Sequence, residues 1–329
     1  MQISSKILQS IGISFSALSS VIFGLFLISF PIGIYVVFET DIGGDINYEF
    51  PLTHLDLFVG ADFYRAPIDV SVGDAFVILW AFYVVLFVIA TLGPKSGFLK
   101  SLSPVISLGQ YPSRLNYMIG VTKWFSILIL LSVVINFIQE QFGISTLPPP
   151  VDNHLVHFFY VSLSPLLEEF GFRMILIGIP LFALYSNHSS LKYFIKCLWN
   201  PDNLNIYDSK KAIILIVFVG ITFGFAHIAF GESWSEGKFA QASVSGVILG
   251  WVYLRYGFVT SLLIHWATNY FVFSYAHFIS QLNFISVENA FSHSLMSSLE
   301  LLLLASGVIS VCILLTHKFF TKRESDLEI

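Results

Sequence analysis

The sequence predicts an all-α fold, a polytopic membrane helix bundle of about eight transmembrane helices with a polar site inside the membrane. Of the 329 residues, 56% are hydrophobic and 11% are charged, and the mean hydropathy is +0.79. A soluble domain of this length carries roughly twice as much charge. The apolar residues are also gathered into windows of about 20, the length at which a helix crosses the hydrocarbon core of a bilayer.

Eight such windows are present. The first is too long for the core of a signal peptide and has no clear small-residue cleavage site, so we expect it to be a retained anchor. The third is the weakest, because Lys123 interrupts it. The windows cover residues 11–38, 75–93, 116–138, 157–185, 212–230, 239–255, 258–280 and 295–317.

We expect three regions along the chain. Residues 1–115 form a two-helix N-terminal membrane region with an acidic outer loop at 39–74. Residues 116–285 form a core with its motifs between 160 and 280, and residues 286–329 form a last transmembrane helix with a basic cytoplasmic tail. The outer loop holds eight acidic residues and one arginine, a composition that favours a solvated loop over a cation or substrate site.

The basic residues predict the orientation. All but three of the 16 Lys and Arg residues lie in inner segments if both termini are cytoplasmic, as the positive-inside rule requires. The exceptions are Arg65, Lys238 and the intramembrane Arg173. We therefore expect a multi-pass protein in the plasma membrane of a prokaryote. The basic residues are scattered and the net charge is -5, so no nucleic acid partner is indicated.

Three ionisable residues interrupt the fourth window. Glu168, Glu169 and Arg173 each cost roughly 2.5–3.5 kcal/mol in hydrocarbon, so they need partners. Glu169 and Arg173 lie at i and i+4 on one helix face, with the acid first, which is the favourable order for an ion pair. That pair suits an inter-helix ionic clasp as well as a catalytic role, whereas Glu168 is left free to face a cavity. Pro165 predicts a helix break or a new first turn, which puts both glutamates near a helix N-terminus.

Polar residues also interrupt the fifth and seventh windows. Phe223 and His227 share a helix face, so the phenyl ring can pack against the imidazole and fix its rotamer. His265 and Asn269 are likewise one turn apart and offer two N–H donors, which suits an oxyanion site. Both pairs have a structural alternative, because such residues also serve as packing groups or as hydrogen-bonded links between membrane helices.

Together these motifs resemble the CPBP family, which includes the CAAX prenyl endopeptidases related to Rce1 and the Abi and bacteriocin-processing proteins. The resemblance covers about residues 160–280 and rests on three motifs that occur in order on separate spans. The motifs are Glu168-Glu169-x-x-Phe172-Arg173, Phe223-x-x-x-His227 and His265-x-x-x-Asn269.

The resemblance implies an intramembrane protease, a hydrolase that cleaves membrane-associated proteins or peptides, prenylated CAAX-type ones among them. It implies that Glu168 and His227 activate a water molecule for attack on a peptide carbonyl. It implies that His265 and Asn269 stabilise the oxyanion that develops. The residues with a supporting role are Glu169, Phe172, Arg173 and Phe223.

Two alternatives to this mechanism remain. A zinc ion would take Glu168, His227 and His265 as ligands and leave one position open for water. We favour a site without metal or other cofactor, because no HExxH motif is present and Asn269 is a poor zinc ligand. A membrane scaffold, an immunity protein or a transporter would use buried Glu and His residues without peptide cleavage. No internal symmetry favours a transporter.

Helix lengths leave the depth of the site unresolved. Counted from the inner ends of their spans, Glu168 and His227 lie roughly 25 Å deep and His265 roughly 12 Å deep. A common site would then lie at mid-membrane or nearer the outer face, whereas CAAX-type processing needs access from the cytoplasm. Either the helices are tilted and broken so that a cytoplasmic cavity reaches the site, or the substrates approach laterally or from outside.

Overall fold

The computed structural model of the chain describes residues 2–59, 62–109, 111, 116–188, 190–206, 209–229 and 234–327. The structure is mostly helical, at 79%. The α-helices are α1 (Gln2–Glu39), α2 (Val72–Leu92), α3 (Phe98–Leu108), α4 (Tyr117–Gln141), α5 (His154–Glu168), α6 (Ile179–Tyr185), α7 (Leu191–Trp199), α8 (Ser209–Ala229), α9 (Lys238–Tyr256), α10 (Phe258–Trp266), α11 (Val272–Asn283), α12 (Val287–Phe291) and α13 (Ser294–Leu327). A short 3-10 helix, Pro201–Leu204, follows α7.

The expectation of an all-α chain is wrong for the outer segment between α1 and α2. That segment contains an antiparallel hairpin of β1 (Pro51–Val59) and β2 (Asp62–Ser71). In β2 the half-buried Ile68 and Val70 pack on the core, whereas Asp69 between them is exposed. This alternation is typical of a strand with one face on the core, and the acidic composition of the segment hid it.

Within the described ranges, five helices are long and apolar enough to cross a membrane, and the chain is an integral membrane protein. They correspond to the first, second, third, fifth and eighth predicted windows. These five are Lys6–Glu39, Val72–Leu92, Tyr117–Gln141, Ser209–Ala229 and Ser294–Thr316. The other three windows are also helical, but two of them carry the polar motifs and the third contains Gln241, Ser243, Ser245 and Arg255, so the count of eight spans stays a prediction.

The fourth predicted window is one continuous helical segment. The α5 helix passes without interruption into a π-helix, Glu169–Gly178, and then into α6. Pro165 lies inside α5, so the predicted helix start at this proline is wrong. A proline removes the N–H that would bind the carbonyl of Val161. The Ser164 hydroxyl donates to that carbonyl instead, at 3.4 Å, and this keeps the helix intact.

The seventh predicted window changes helix type in the same way. The α10 helix leads into a second π-helix, Ala267–Phe271, which leads into α11. Every residue of α10 is buried, so this helix is the centre of the bundle. Short π segments inside α-helices occur frequently at functional sites, and both of these lie in the segments that carry polar motifs.

The turn between α9 and α10 lies inside the bundle, so α10 is at the same depth as the π-helix after α5. Gly257 is the single residue between α9 and α10, and it has a φ of 84°. A side chain there would meet the Trp199 carbonyl oxygen at 2.9 Å, so the segment after α7 covers the turn. His265 is about two turns from the start of α10, whereas Glu169 is about four turns from the end of α6. Their contact requires the turn to lie inside the bundle.

Candidate active site

The predicted pairing of Glu169 with Arg173 is present and fully buried. Arg173 Nε lies 3.2 Å from Glu169 Oε2, and both side chains are 0% exposed. The Ser261 hydroxyl on α10 donates a hydrogen bond to the same carboxylate oxygen. Such additional hydrogen bonds offset part of the cost of burying an ion pair, whereas the two terminal nitrogens of Arg173 have no hydrogen-bond partner among the described residues.

His265 bridges the two glutamates. Its Nδ1 atom lies 2.9 Å from Glu169 Oε1, and its Nε2 atom lies 3.7 Å from Glu168 Oε2. The Glu169 carboxylate is ionised beside Arg173 and only accepts hydrogen bonds, so His265 Nδ1 carries a hydrogen. The other nitrogen, Nε2, therefore faces Glu168.

Glu168 and Glu169 differ in their surroundings although they are adjacent in sequence. The Glu168 side chain is 22% exposed, whereas that of Glu169 is 0% exposed. Glu168 Oε2 is buried and has no hydrogen-bond partner among the described residues, so the 22% exposure belongs to the rest of the side chain. The Glu169–Arg173 contact agrees with the expected ion pair, and a cavity in front of Glu168 stays a prediction.

The charges of this cluster do not balance by themselves. Two carboxylates face one guanidinium, so one negative charge is left, at a depth where unpaired charges are costly. The Lys238 ammonium also interacts electrostatically with Glu168. The 3.7 Å between Glu168 Oε2 and His265 Nε2 is a distance at which a water molecule commonly mediates.

His227 has a defined tautomer. Its Nδ1 atom lies 2.9 Å from the Phe223 carbonyl oxygen. A carbonyl oxygen only accepts, so Nδ1 carries the hydrogen and Nε2 carries a free lone pair. The Phe223 ring is edge-on to the imidazole, with 4.6 Å between the ring centroids, which agrees with the predicted packing. His227 is thus oriented as a proton acceptor.

The Phe223 ring joins His227 to the glutamate cluster. It lies 5.0 Å from the Phe172 ring and 5.9 Å from the His265 ring, in edge-to-face geometry. The Arg173 guanidinium carbon lies 4.7 Å from the centre of the same ring, a cation–π contact. Both predicted supporting aromatic residues therefore touch the site.

Asn269 contacts the site at a different point from His265. Its Nδ2 atom donates to the Ser164 hydroxyl at 3.1 Å, and Ser164 lies one turn before Glu168 on α5. The π-helix accounts for the separation, since it changes the number of residues per turn and rotates Asn269 relative to His265. The segment of α5 with its π-helix and the segment of α10 with its π-helix are therefore joined by a row of three polar contacts. In order along α10 and its π-helix, they are Ser261 with Glu169, His265 with both glutamates, and Asn269 with Ser164.

Three contributors to the site were not among the predicted residues. Ser261 precedes His265 by four residues, as His265 precedes Asn269, so helix spacing could have placed it on the same helix face. Ser164 precedes Glu168 by four residues, so the same helix spacing could have indicated it. Tyr83, buried on α2, donates to the Ser162 carbonyl oxygen at 3.1 Å and interacts electrostatically with both glutamates. No sequence pattern links Tyr83 to Glu168 and Glu169.

The alternative zinc ligands are not arranged as a metal site. In the ranges that the structure describes, no three His, Cys, Asp or Glu side chains form a group that could hold a metal ion. Glu168, His227 and His265 therefore do not make such a group.

Residues 150–271 match the family model described as type II CAAX prenyl endopeptidase, Rce1-like. This segment belongs to the CPBP family. The predicted resemblance is thereby confirmed, and the CPBP segment contains all three motifs and ends with the second π-helix. No curated protein and no solved structure gives a significant match to the chain.

Proposed function

We propose that the chain is a CAAX-type intramembrane endopeptidase, which hydrolyses a peptide bond in a membrane-associated protein or peptide. The observation that carries the proposal is the unequal pair of glutamates bridged by His265. Glu169 is neutralised by Arg173, whereas the Glu168 side chain is 22% exposed and its buried oxygen Oε2 has no hydrogen-bond partner among the described residues. Two carboxylates with different surroundings are the usual arrangement for one supporting and one reacting acid. Membership of the CPBP family supports the same activity.

In the proposed reaction, a water molecule binds between Glu168 and His227. The Glu168 carboxylate and His227 Nε2 both accept protons, so either one takes a proton from the water as its oxygen attacks the carbonyl carbon. A carbon–oxygen bond forms, and the carbonyl electron pair moves to the oxygen. The same proton then passes to the leaving amine when the carbon–nitrogen bond breaks.

The proposed oxyanion site consists of His265 and Asn269. A proton on His265 Nε2 makes that atom a charged donor, which stabilises a developing negative charge more strongly than a neutral donor does. The Asn269 amide has a second N–H besides the one that binds Ser164. Glu169 and Arg173 hold the His265 ring in orientation, and Phe172 and Phe223 restrict the space around it.

We propose that this reaction needs no metal ion, and that prenylated peptides are among the substrates. We further propose, from the distribution of Lys and Arg, that both termini lie in the cytoplasm and that the membrane is the plasma membrane of a prokaryote. The test uses the protein in proteoliposomes with quenched peptides, prenylated and unprenylated, with and without a chelator. Cleavage that persists in chelator supports the mechanism, and loss that Zn²⁺ restores contradicts it.

The matched variants are Glu168→Gln and Glu140→Gln. Glu140 is an exposed carboxylate at the end of α4, so its replacement should leave turnover unchanged. Glu168→Gln should lower kcat by at least about 100-fold, in the range expected for loss of a general base. A scaffold or a transporter would show no cleavage in any variant. Cleavage that Glu168→Gln leaves unchanged would rule out the assigned base.

A further inference from the structure

Lys238 lies at the same end of the bundle as His227, at the point where α8 ends and α9 begins. The two helices cross closely there, since a side chain at Gly224 would meet the Phe239 carbonyl oxygen at 2.7 Å. His227 is three residues after Gly224, and Lys238 immediately precedes Phe239. The Lys238 ammonium interacts electrostatically with both Glu168 and His227. A cation is therefore part of the surroundings of the proposed base.

The Lys238 side chain is held in position by neutral groups. Its Nζ atom lies 4.1 Å from the centre of the Trp234 ring and 3.3 Å from Gln241 Oε1. Within the described ranges, no carboxylate oxygen lies within ion-pairing distance of it. An ammonium has three donors, so this one is oriented while retaining donors for an anion.

We propose that Lys238 binds a carboxylate of the peptide substrate, so that peptides with a negative charge near the scissile bond are preferred. This inference rests on the proposed function. The anions that an unmodified peptide offers are its C-terminal carboxylate and its Asp and Glu side chains. A charge-assisted hydrogen bond from a partly dehydrated lysine to such a group is roughly twice as strong as a neutral one. The ammonium also counteracts the repulsion between that carboxylate and Glu168.

The test compares three peptides with the same scissile sequence. One has a free C-terminus, one has a C-terminal amide, and one has the amide with a Glu beside the scissile bond. They are cleaved by the unaltered protein, by Lys238→Met and Lys238→Arg, and by Lys192→Gln as the matched control, since Lys192 is exposed on α7. The readout is the ratio of kcat/KM between charged and uncharged peptides, which does not depend on the folded fraction of each preparation.

The unaltered protein, Lys192→Gln and Lys238→Arg should prefer a charged peptide by about tenfold, and Lys238→Met should lose that preference through slower cleavage of the charged peptide. Whichever charged peptide is preferred identifies the C-terminus or a side chain as the source of the carboxylate. Equal ratios in the unaltered protein and Lys238→Met overturn the inference. So does a Lys238→Met effect confined to the pH profile, because Lys238 then acts only on His227. Failure of the proposed function is seen separately, as cleavage that Glu168→Gln leaves unchanged.

Discussion

His265 Nδ1 lies 2.9 Å from Glu169 Oε1, while the other nitrogen of the same ring faces Glu168. One imidazole thus contacts two adjacent glutamates through different atoms. In Ser-His-Asp sites, a buried carboxylate similarly fixes the tautomer of a histidine whose second nitrogen takes part in the reaction. In the present site the histidine and the reacting carboxylate lie on different helices, so the contact between α10 and the π-helix after α5 sets the geometry.

Replacement of Glu169 should destabilise the fold severely. Glu169→Gln removes the carboxylate that contacts Arg173 directly and leaves only Glu168 as a counter-charge, and breaking a buried ion pair in this way costs about 3–5 kcal/mol. Thermal denaturation in detergent measures the change, and Ser261→Ala is the milder comparison because it removes one hydrogen bond, at about 1–2 kcal/mol. The double variant Glu169→Gln/Arg173→Met should recover part of the loss. A Glu169→Gln protein as stable as the unaltered one would show that the ion pair is not structural.

Replacement of Glu168 should have little effect on stability. Glu168 Oε2 has no hydrogen-bond partner among the described residues, and the cluster carries an excess negative charge that Glu168→Gln removes. The change in free energy of unfolding should stay within about 0.5 kcal/mol, as at sites without a structural role. Thermal denaturation in detergent measures the stability of Glu168→Gln beside that of Glu169→Gln. Equal destabilisation by both variants would contradict the division of roles between the two glutamates.

His265→Asn should separate folding from turnover. A shorter amide can still donate to Glu169 from near the position of Nδ1, but it places no donor at the position of Nε2. The variant should retain most of its thermal stability and lose about 100- to 1,000-fold in kcat, the usual loss for one oxyanion donor. Turnover within tenfold of the unaltered protein would exclude His265 from the oxyanion site.

Phe223→Leu should loosen the orientation of His227. The substitution removes the ring that lies 4.6 Å from the imidazole and 4.7 Å from Arg173, and the lost packing and cation–π contacts cost about 1–3 kcal/mol. We expect kcat to fall more than KM rises. Phe218→Leu is the control, because Phe218 lies on the same helix and is 68% exposed. Similar effects of both variants on kcat would show that the ring has no specific role.

The sequence predicted the local contacts of the site better than its tertiary ones. Glu169 with Arg173 and Phe223 with His227 are pairs within one helix, and helix periodicity is sufficient to find them. The contact of Ser261 with Glu169 depends on how α10 packs, so periodicity does not reveal it. The segment match to the CPBP family supports the choice of motif residues, and their roles in the reaction stay predictions.

The deviations from regular helices were not predictable from residue propensities. Pro165 is normally a helix breaker, and only the Ser164 hydroxyl at the freed carbonyl explains why α5 continues. The π-helix begins at Glu169, which contacts Arg173 on its own helix and His265 on another, and residue propensities give no signal for this change of helix type. The β-hairpin was hidden for a different reason: composition was considered over the whole outer segment, and the alternation of β2 is visible only residue by residue.

The turn at Gly257 also bears on how the protein is made. A single glycine separates α9 from α10, so the translocation machinery meets no hydrophilic loop at which to release one helix before the next. If the sixth and seventh predicted spans cross the membrane, we expect them to enter the bilayer together as a helical hairpin. Since α10 is buried on every side, we expect its polar contacts with the glutamates to form only when the surrounding helices pack around it.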